Sequence, residues 1–417
     1  MTESSNQERS SSKENPLARE IGAPLLTIYG LGTILGAGIY VIIGEVAGAA
    51  GFLTPLAFLL AAVVAGLTAL SFSELVARIP ESGGPVDFTH RAFDRRWVSA
   101  ATGWALAATG VVSAATILTG FEQYLSIFVS WPAWLVISGT GLLLGVVAAV
   151  GLKESAWVMG TTTALGVGGL IYVIWMAAPT MGEGVGEVTG ALTSLDGGMA
   201  SGLFLGAFLA FYSFIGFEDM VNLAEEVKDA RTSVPRSILV ALVVSLVLYV
   251  VVSWAAISVV APQELAGSEA PLVAVVEARG QPGWILGLVS LFIIVNGALA
   301  QIIMASRLLM DMGRDDLGAP AFLRRVHPRT DTPLLSTTLA TAAVLLLALF
   351  LPLRSLANLT SAIVLAVFAT VNASLIVLKR RGQPESVPDI PRWIPWSGAV
   401  ISAGAVVAQL LVDGVGG

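Results

Sequence analysis

The chain has 417 residues, of which 55% are hydrophobic and only 12% are charged, and its mean hydropathy is +0.83. Soluble globular proteins carry about 45–50% apolar and about 25% charged residues, because a surface that faces water needs charge. The composition therefore indicates an integral membrane protein, and the net charge of −7 argues against a nucleic-acid partner. With no cysteine and two histidines, the sequence predicts no disulfide, no metal site and no cofactor.

The predicted elements follow a polar start. Residues 1–17 are rich in Ser and Glu, which predicts a disordered cytoplasmic tail. A helix that crosses a bilayer needs about 20 mostly apolar residues. Eleven later stretches meet this requirement, and they cover 24–48, 54–78, 98–120, 133–151, 156–178, 200–223, 237–261, 283–310, 333–352, 356–378 and 393–413.

The Lys and Arg residues orient these eleven helices. With the N-terminus in the cytoplasm, all 22 of them except Arg279 and Arg354 fall on the cytoplasmic side. This asymmetry is what the positive-inside rule requires, and a wrong helix count would scramble it. The sequence thus predicts a protein of the cell membrane with a cytoplasmic N-terminus and an extracellular C-terminus.

Two of the predicted helices are interrupted at matching depths. The first contains Gly36-Ala37-Gly38-Ile39-Tyr40, and the sixth contains Ser213-Phe214-Ile215-Gly216-Phe217. Each glycine weakens a helix by about 1 kcal/mol relative to alanine, and the freed backbone groups need a cavity or protein around them. Breaks at matching depth in helices of opposite direction are typical of an inverted-repeat transporter with its site between them. Close packing of a small-residue face is the alternative explanation of the glycine pair.

Few polar side chains lie within the predicted helices, and an ionisable one there is a functional candidate by default. Glu218 directly follows the second break and is the strongest of these candidates. Glu74, near the end of the second helix, suggests an inner gate that pairs with cytoplasmic Arg residues. Asn296 lies in the eighth helix, where it either lines a pathway or bonds across helices. Tyr212 precedes the second break and is either a gate over a bound side chain or ordinary core packing.

Four motifs resemble the amino acid–polyamine–organocation transporter superfamily. In chain order they are Gly36 to Tyr40, Glu74-Leu75 with the segment Arg-Ile-Pro-Glu-Ser-Gly-Gly at 78–84, Phe214 to Glu218 with Glu-Glu-Val-Lys at 225–228 and Val-Pro-Arg at 234–236, and Ala305-Ser306-Arg307 with Met-Gly-Arg-Asp at 312–315. Each motif alone is weak, but four in the right order are specific. The resemblance covers residues 17–380 and is closest to bacterial amino acid permeases related to cationic amino acid transporters.

The resemblance implies an all-helical, leucine-transporter-like fold with discontinuous first and sixth helices. Two inverted repeats, 24–178 and 200–380, would form a core over 18–380, and a loop with the eleventh helix would fill 381–417. The substrate carboxylate would meet backbone amides from Gly36 through Ala37 and Gly38 to Ile39. The substrate amine would meet carbonyls of Ile34, Ser213 and Phe214 near Gly216, with Tyr212 as the aromatic gate.

The chain departs from the family pattern in two places. Members commonly have twelve helices, and proton-coupled relatives carry a Lys in the fifth helix where this chain has Gly166. Proton coupling or exchange is favoured, with protonation of Glu218, sodium coupling and facilitated diffusion as the other possibilities. A same-fold carrier of a polyamine or inorganic ion and a membrane sensor that binds amino acids without moving them are the alternative functions. An enzyme is the least favoured, and the sequence leaves the oligomeric state open.

Overall fold

The computed structural model describes residues 21–415 apart from 37, 82, 152–155, 315, 316, 331, 385 and 386. The predicted tail and Ala37 lie outside the described residues. The described chain is almost entirely helical. Its α-helices are α1 (Ala23–Leu35), α2 (Gly38–Ala50), α3 (Thr54–Arg78), α4 (Gly84–Phe93), α5 (Arg96–Ser126), α6 (Ala133–Val150), α7 (Ala156–Ala177), α8 (Met181–Thr193), α9 (Gly197–Phe211), α10 (Ala230–Ile257), α11 (Pro262–Gly267), α12 (Pro271–Ala278), α13 (Trp284–Arg314), α14 (Leu334–Phe350), α15 (Leu353–Arg381) and α16 (Trp393–Val415).

Within the described residues, nine helical stretches are long and apolar enough to cross a membrane. The first of them, Ala23–Arg78, runs through α1, α2 and α3, and α14 is apolar but shorter than the other spans. The chain is therefore an all-helical integral membrane protein. The count of eleven spanning helices and the inverted repeat stay predictions.

The outer surface of the bundle is apolar. On α6, the side chains of Leu142, Leu143 and Val146 are each more than half exposed. Apolar side chains that face outward from a spanning helix are solvated by lipid, where no unpaired backbone group is tolerated. Inside the bundle, α5 and α13 approach closely at Gly110, because a Cβ there would lie only 3.0 Å from the Cβ of Ala305.

The first and sixth predicted helices are both interrupted. α1 ends at Leu35, Gly36 adopts φ −41° and ψ −129°, and α2 begins at Gly38. α9 ends at Phe211 and is followed by a 3₁₀ turn, Tyr212–Phe214. Gly216 then adopts φ +124°, a conformation that side chains rarely allow. A 3₁₀ helix, Phe217–Glu226, completes the second broken helix.

We call one end of the bundle the basic face, where Arg78, Arg96 and Arg381 mark the ends of α3, α5 and α15. The two broken helices are joined there by main-chain hydrogen bonds. The amide of Ile21 donates to the carbonyl of Glu226 at 3.1 Å, and the amide of Lys228 donates to the carbonyl of Ile21 at 2.9 Å. α1 and the 3₁₀ helix that ends at Glu226 are therefore tied at the basic face.

The structure adds four short helices to the eleven predicted stretches, namely α4, α8, α11 and α12. Each is shorter than the 20 or so residues that a span needs, so a search for long apolar runs passes over them. The third predicted stretch, 98–120, is extended in both directions as α5, over Arg96–Ser126. Helices continue past the apolar run because their polar ends lie outside the hydrocarbon.

Candidate functional site

The two breaks pack directly against each other. A Cβ placed on Gly38 would lie 2.9 Å from the Cα of Ser213, and one placed on Gly216 would lie 2.9 Å from the main chain of Thr33. The Thr33 hydroxyl donates to the Gly216 carbonyl at 3.0 Å. Since the crowding atoms belong to the main chain, they cannot move aside as a side chain would. Glycine is therefore required at both positions for this approach.

Four half-helix ends meet at this point, and three of them have a partner from the chain itself. The carboxylate of Glu218 accepts a hydrogen bond from the Gly216 amide at 2.9 Å, directly before the start of the 3₁₀ helix. The Tyr249 hydroxyl lies 2.6 Å from the carbonyl oxygen of Ile34 and 2.9 Å from that of Ser213, at the ends of α1 and α9. The fourth end is the start of α2, whose first amides have no partner within the helix.

A cavity of about 1130 Å³ extends from the breaks to the basic face. Its wall near the breaks is formed by backbone and by small, apolar and polar side chains of α1, α2, α5, α7 and α13. This part of the wall includes Ile34, Gly36, Gly38, Gly166, Tyr212 and Asn296. Closer to the basic face, the wall carries the charged residues Asp87, Glu225, Glu226, Arg307, Asp311 and Arg314.

Several of the residues named from the resemblance lie off the cavity wall. The side chains of Ile39, Ser213 and Phe214 have no exposed surface and point into the packed interior. They offer the site their main chain alone, as does Gly216, whose carbonyl already accepts from Thr33. The structure thus brings Ile34, Gly36, Gly38 and Tyr212 to the wall, while Ala37 is outside the described residues. The binding roles of all these residues stay predictions.

Tyr212 lies on the cavity wall at the second break. Its side chain is 4% exposed, and its hydroxyl lies 3.3 Å from the Ser113 hydroxyl of α5. Beyond it, Phe208 and Phe211 of α9 are buried. The charged part of the cavity wall therefore lies toward the basic face, and the part that Tyr212 lines lies at the breaks.

Gly166 lies on the cavity wall in α7, where proton-coupled relatives have a Lys. Its carbonyl accepts a hydrogen bond from the Tyr40 hydroxyl at 2.7 Å. A Cβ at this position would have Ile293 Cδ1, at 3.7 Å, as its nearest neighbour outside the local backbone. A Cβ is therefore accommodated at this position in ordinary van der Waals contact.

Glu74 takes part in a buried ion-pair cluster at the basic face and is separate from the cavity wall. Its carboxylate lies 2.6 Å from Arg78 and 2.8 Å from Lys379 of α15, and it accepts from the Ile390 amide at 3.0 Å. Lys379 also pairs with Asp389 at 2.6 Å. The cluster joins α3 to α15 and to the segment before α16, and the gating role of Glu74 stays a prediction.

Tyr249 is a site residue that sequence reasoning missed, because a single Tyr in the apolar run of α10 looks like core packing.

The other residue that the structure adds to the site is Asp87 of α4, on the charged part of the cavity wall. Burial, followed by the negative charge of Glu81, raises the pKa of Asp87 above its usual range.

An apolar helical bundle with two broken helices that meet at a polar cavity defines an integral membrane protein of the transporter class. The chain belongs to the amino acid permease family, because the profile of that family matches residues 24–417. The match begins within the first predicted helix and continues past residue 380, the limit of the motif resemblance, through α16.

Relatives from three organisms are similar to the chain over most of its length. The branched-chain amino acid permease BcaP of Bacillus subtilis is 28% identical over 95% of this chain and 87% of that protein. An uncharacterized transporter of Mycobacterium tuberculosis is 31% identical over 96% of this chain and 90% of its own length. The vacuolar cationic amino acid transporter 4 of Arabidopsis thaliana is 28% identical over 89% of this chain and 65% of its own length. Family and relatives support amino acid transport.

Proposed function

We propose that the chain is a secondary transporter that moves amino acids across the cytoplasmic membrane by alternating access. The observation that carries this proposal is the start of α2, which opens onto the cavity at Gly36 and Gly38. The first amides of a helix have no acceptor within that helix, and those of α2 begin at Gly38 on the cavity wall. The partly positive amide end of a helix favours a carboxylate, and every amino acid carries one.

In this proposal the substrate carboxylate binds the first amides of α2, between Gly36 and Ile39. The ammonium group then lies on the Glu218 side of the cavity, where the carboxylate and the nearby carbonyl ends favour positive charge. The side chain of the bound amino acid points toward Ile117, Ile293 and Asn296, which line the same part of the wall. Tyr212 covers the bound molecule on the side away from the basic face.

In this proposal the cavity, which extends to the basic face, opens there, and the positive-inside rule supports a cytoplasmic location of that face. The structure then corresponds to an inward-open state. Alternating access requires the α1 half and its partner 3₁₀ helix to close over the cavity while Tyr212 and α2 release the opposite side. The main-chain bonds of Ile21 to Glu226 and Lys228 support a joint movement of these two half-helices.

Proton coupling or exchange is the proposed driving force. Gly166 provides no amine on the cavity wall, whereas Glu218 supplies a carboxylate to the wall at the second break. Glu218→Gln keeps an oxygen that accepts from the Gly216 amide but removes the charge. If Glu218 carries the coupled proton, this variant loses uptake driven by a proton gradient and keeps exchange of internal for external amino acid.

The experiment is uptake by purified protein in liposomes. Each of the twenty labelled amino acids is offered with a proton gradient, with a sodium gradient, with neither, and with unlabelled amino acid inside. Glu187→Gln, at an exposed position of α8, is the matched control for Glu218→Gln. Absence of uptake and of binding across the panel would falsify the proposal, and binding without uptake under every gradient would favour an amino acid sensor.

A further inference from the structure

The hydroxyl of Tyr249 stands between two carbonyl oxygens that belong to different broken helices. The Ile34 oxygen is 2.6 Å away and the Ser213 oxygen is 2.9 Å away. A phenol has one proton to donate, so the two carbonyls share it. Tyr249 itself belongs to α10, a third and unbroken helix. One side chain therefore connects three helices at the depth of the breaks.

Both carbonyls need this donor because the breaks remove their helical partners. In continuous helices, the Ile34 oxygen would accept from the amide of residue 38 and the Ser213 oxygen from that of residue 217. Each of those amides instead begins the segment beyond its break. The last carbonyls of a helix also carry the negative end of its dipole, so two such ends that face each other require a positive group between them.

The position of the hydroxyl is tightly restrained. The Tyr249 side chain has no exposed surface. Its ring packs edge-on against Phe214 of the second break, with centroids 5.0 Å apart, and against Phe58 of α3, with centroids 5.8 Å apart. Because the ring is held between two other rings, the hydroxyl cannot move with one carbonyl and keep its hydrogen bond to the other. Movement of either break thus has to preserve or exchange this hydrogen bond.

The hydrogen bonds also lie behind the breaks as seen from the cavity. Neither Tyr249 nor Ser213 is among the residues that line the cavity, whereas Gly36 and Gly38 are. The shared proton therefore holds the carbonyls of residues 34 and 213 on the side of the breaks that faces away from the cavity. These two residues lie near the amide end of α2. Gly38 presses on Ser213 from the other side, which completes the restraint.

We infer that Tyr249 is a positioning residue for substrate binding, whose hydroxyl holds the carbonyl ends of α1 and α9 together so that the first amides of α2 keep the geometry that binds a carboxylate. This inference rests on the proposed function, because it concerns the carboxylate of an amino acid substrate. The Tyr249 hydroxyl does not contact the substrate. Its effect is transmitted through the main chain at residues 34 to 38.

The test compares Tyr249→Phe with Tyr124→Phe. Both tyrosines are buried, and both hydroxyls donate to main-chain carbonyls, but the Tyr124 hydroxyl donates to the carbonyl of Tyr40 within α2 and also has a main-chain hydrogen bond with Leu272, away from both breaks. Dissociation constants are measured on purified full-length protein for L-leucine, L-arginine and their methyl esters. The esters keep the ammonium group and the side chain and lack the carboxylate charge.

We expect Tyr249→Phe to weaken binding of the free amino acid at least tenfold and to leave ester binding within threefold. The preference for free acid over ester then falls, which general destabilisation of the fold would not produce. Tyr124→Phe keeps the wild-type preference. An unchanged preference in Tyr249→Phe, or an equal fall in both variants, overturns the inference and leaves the proposed function standing. Wild-type protein that binds none of the twenty amino acids overturns both.

Discussion

Substitution of Gly38 by alanine tests whether the contact between the two breaks is needed for transport. The new Cβ would lie 2.9 Å from the Cα of Ser213 and 3.4 Å from its Cβ. Ordinary carbon contacts begin near 3.4 Å, so the two breaks have to separate by roughly half an ångström. Overpacking of this kind costs about 1–3 kcal/mol. At 1.4 kcal/mol per factor of ten, uptake is expected to fall by roughly 5- to 150-fold.

The matched control is Gly168→Ala in α7, a helical glycine at which a Cβ would meet no atom within 4 Å. Alanine is preferred to glycine in a helix by about 1 kcal/mol, so this variant should be at least as stable as the wild type. Initial uptake into liposomes is measured for both variants, normalised to monodisperse protein. Folded Gly38→Ala protein that transports within twofold of the wild type would refute the argument that the breaks must touch.

Three further outcomes are expected. Lys379→Met should lower the free energy of unfolding of the purified protein by about 3 kcal/mol, because it removes a partner 2.8 Å from the fully buried Glu74. Asp389→Asn changes a partner of Lys379 that is 68% exposed, and it should have little effect on the same free energy. Gly166→Lys, at a position that accommodates a Cβ, should make uptake depend more strongly on an inward proton gradient than in the wild type; unchanged dependence in monodisperse protein would contradict the family interpretation. Asp87→Asn should raise the melting temperature at pH 7 but not near pH 4, because burial raises the pKa of Asp87 above 3.8. The folded state thus favours the protonated acid, and the penalty on the charged form disappears as pH falls.

The sequence predicted an all-helical membrane protein because lipid imposes a length and a composition on every helix that crosses it. The breaks were also predictable. Gly36 and Gly38 interrupt an apolar run that has no loop residues, and a membrane helix cannot open there without a cavity or a neighbouring protein surface. Gly216 carries the same information, and its φ of +124° shows why no other residue type suits that turn.

Pairings between distant residues were beyond the sequence. Glu74 was expected to pair with Arg residues, and Arg78 is indeed its neighbour one turn away. The second cation, Lys379, is more than 300 positions further along the chain, and apolar periodicity gives no information about which helix ends meet. Tyr249 was missed for a related reason. Its role depends on two carbonyls that become free only when the breaks form, so it leaves no local pattern in α10.

The polar groups at the breaks limit how ion coupling can work in this chain. A helix end that is freed within the membrane needs an opposite charge, which a protein can bind as an ion or supply from its own side chains. Here the Tyr249 hydroxyl serves the two carbonyl ends and the Glu218 carboxylate serves one amide end. Of these two groups, Glu218 is the one that carries a carboxylate. Protonation would weaken its hold on the Gly216 amide, and because Gly216 is pressed against Thr33, the change would reach α1 directly. On the proposed mechanism, a proton therefore acts on the geometry of the breaks and needs no amine at Gly166.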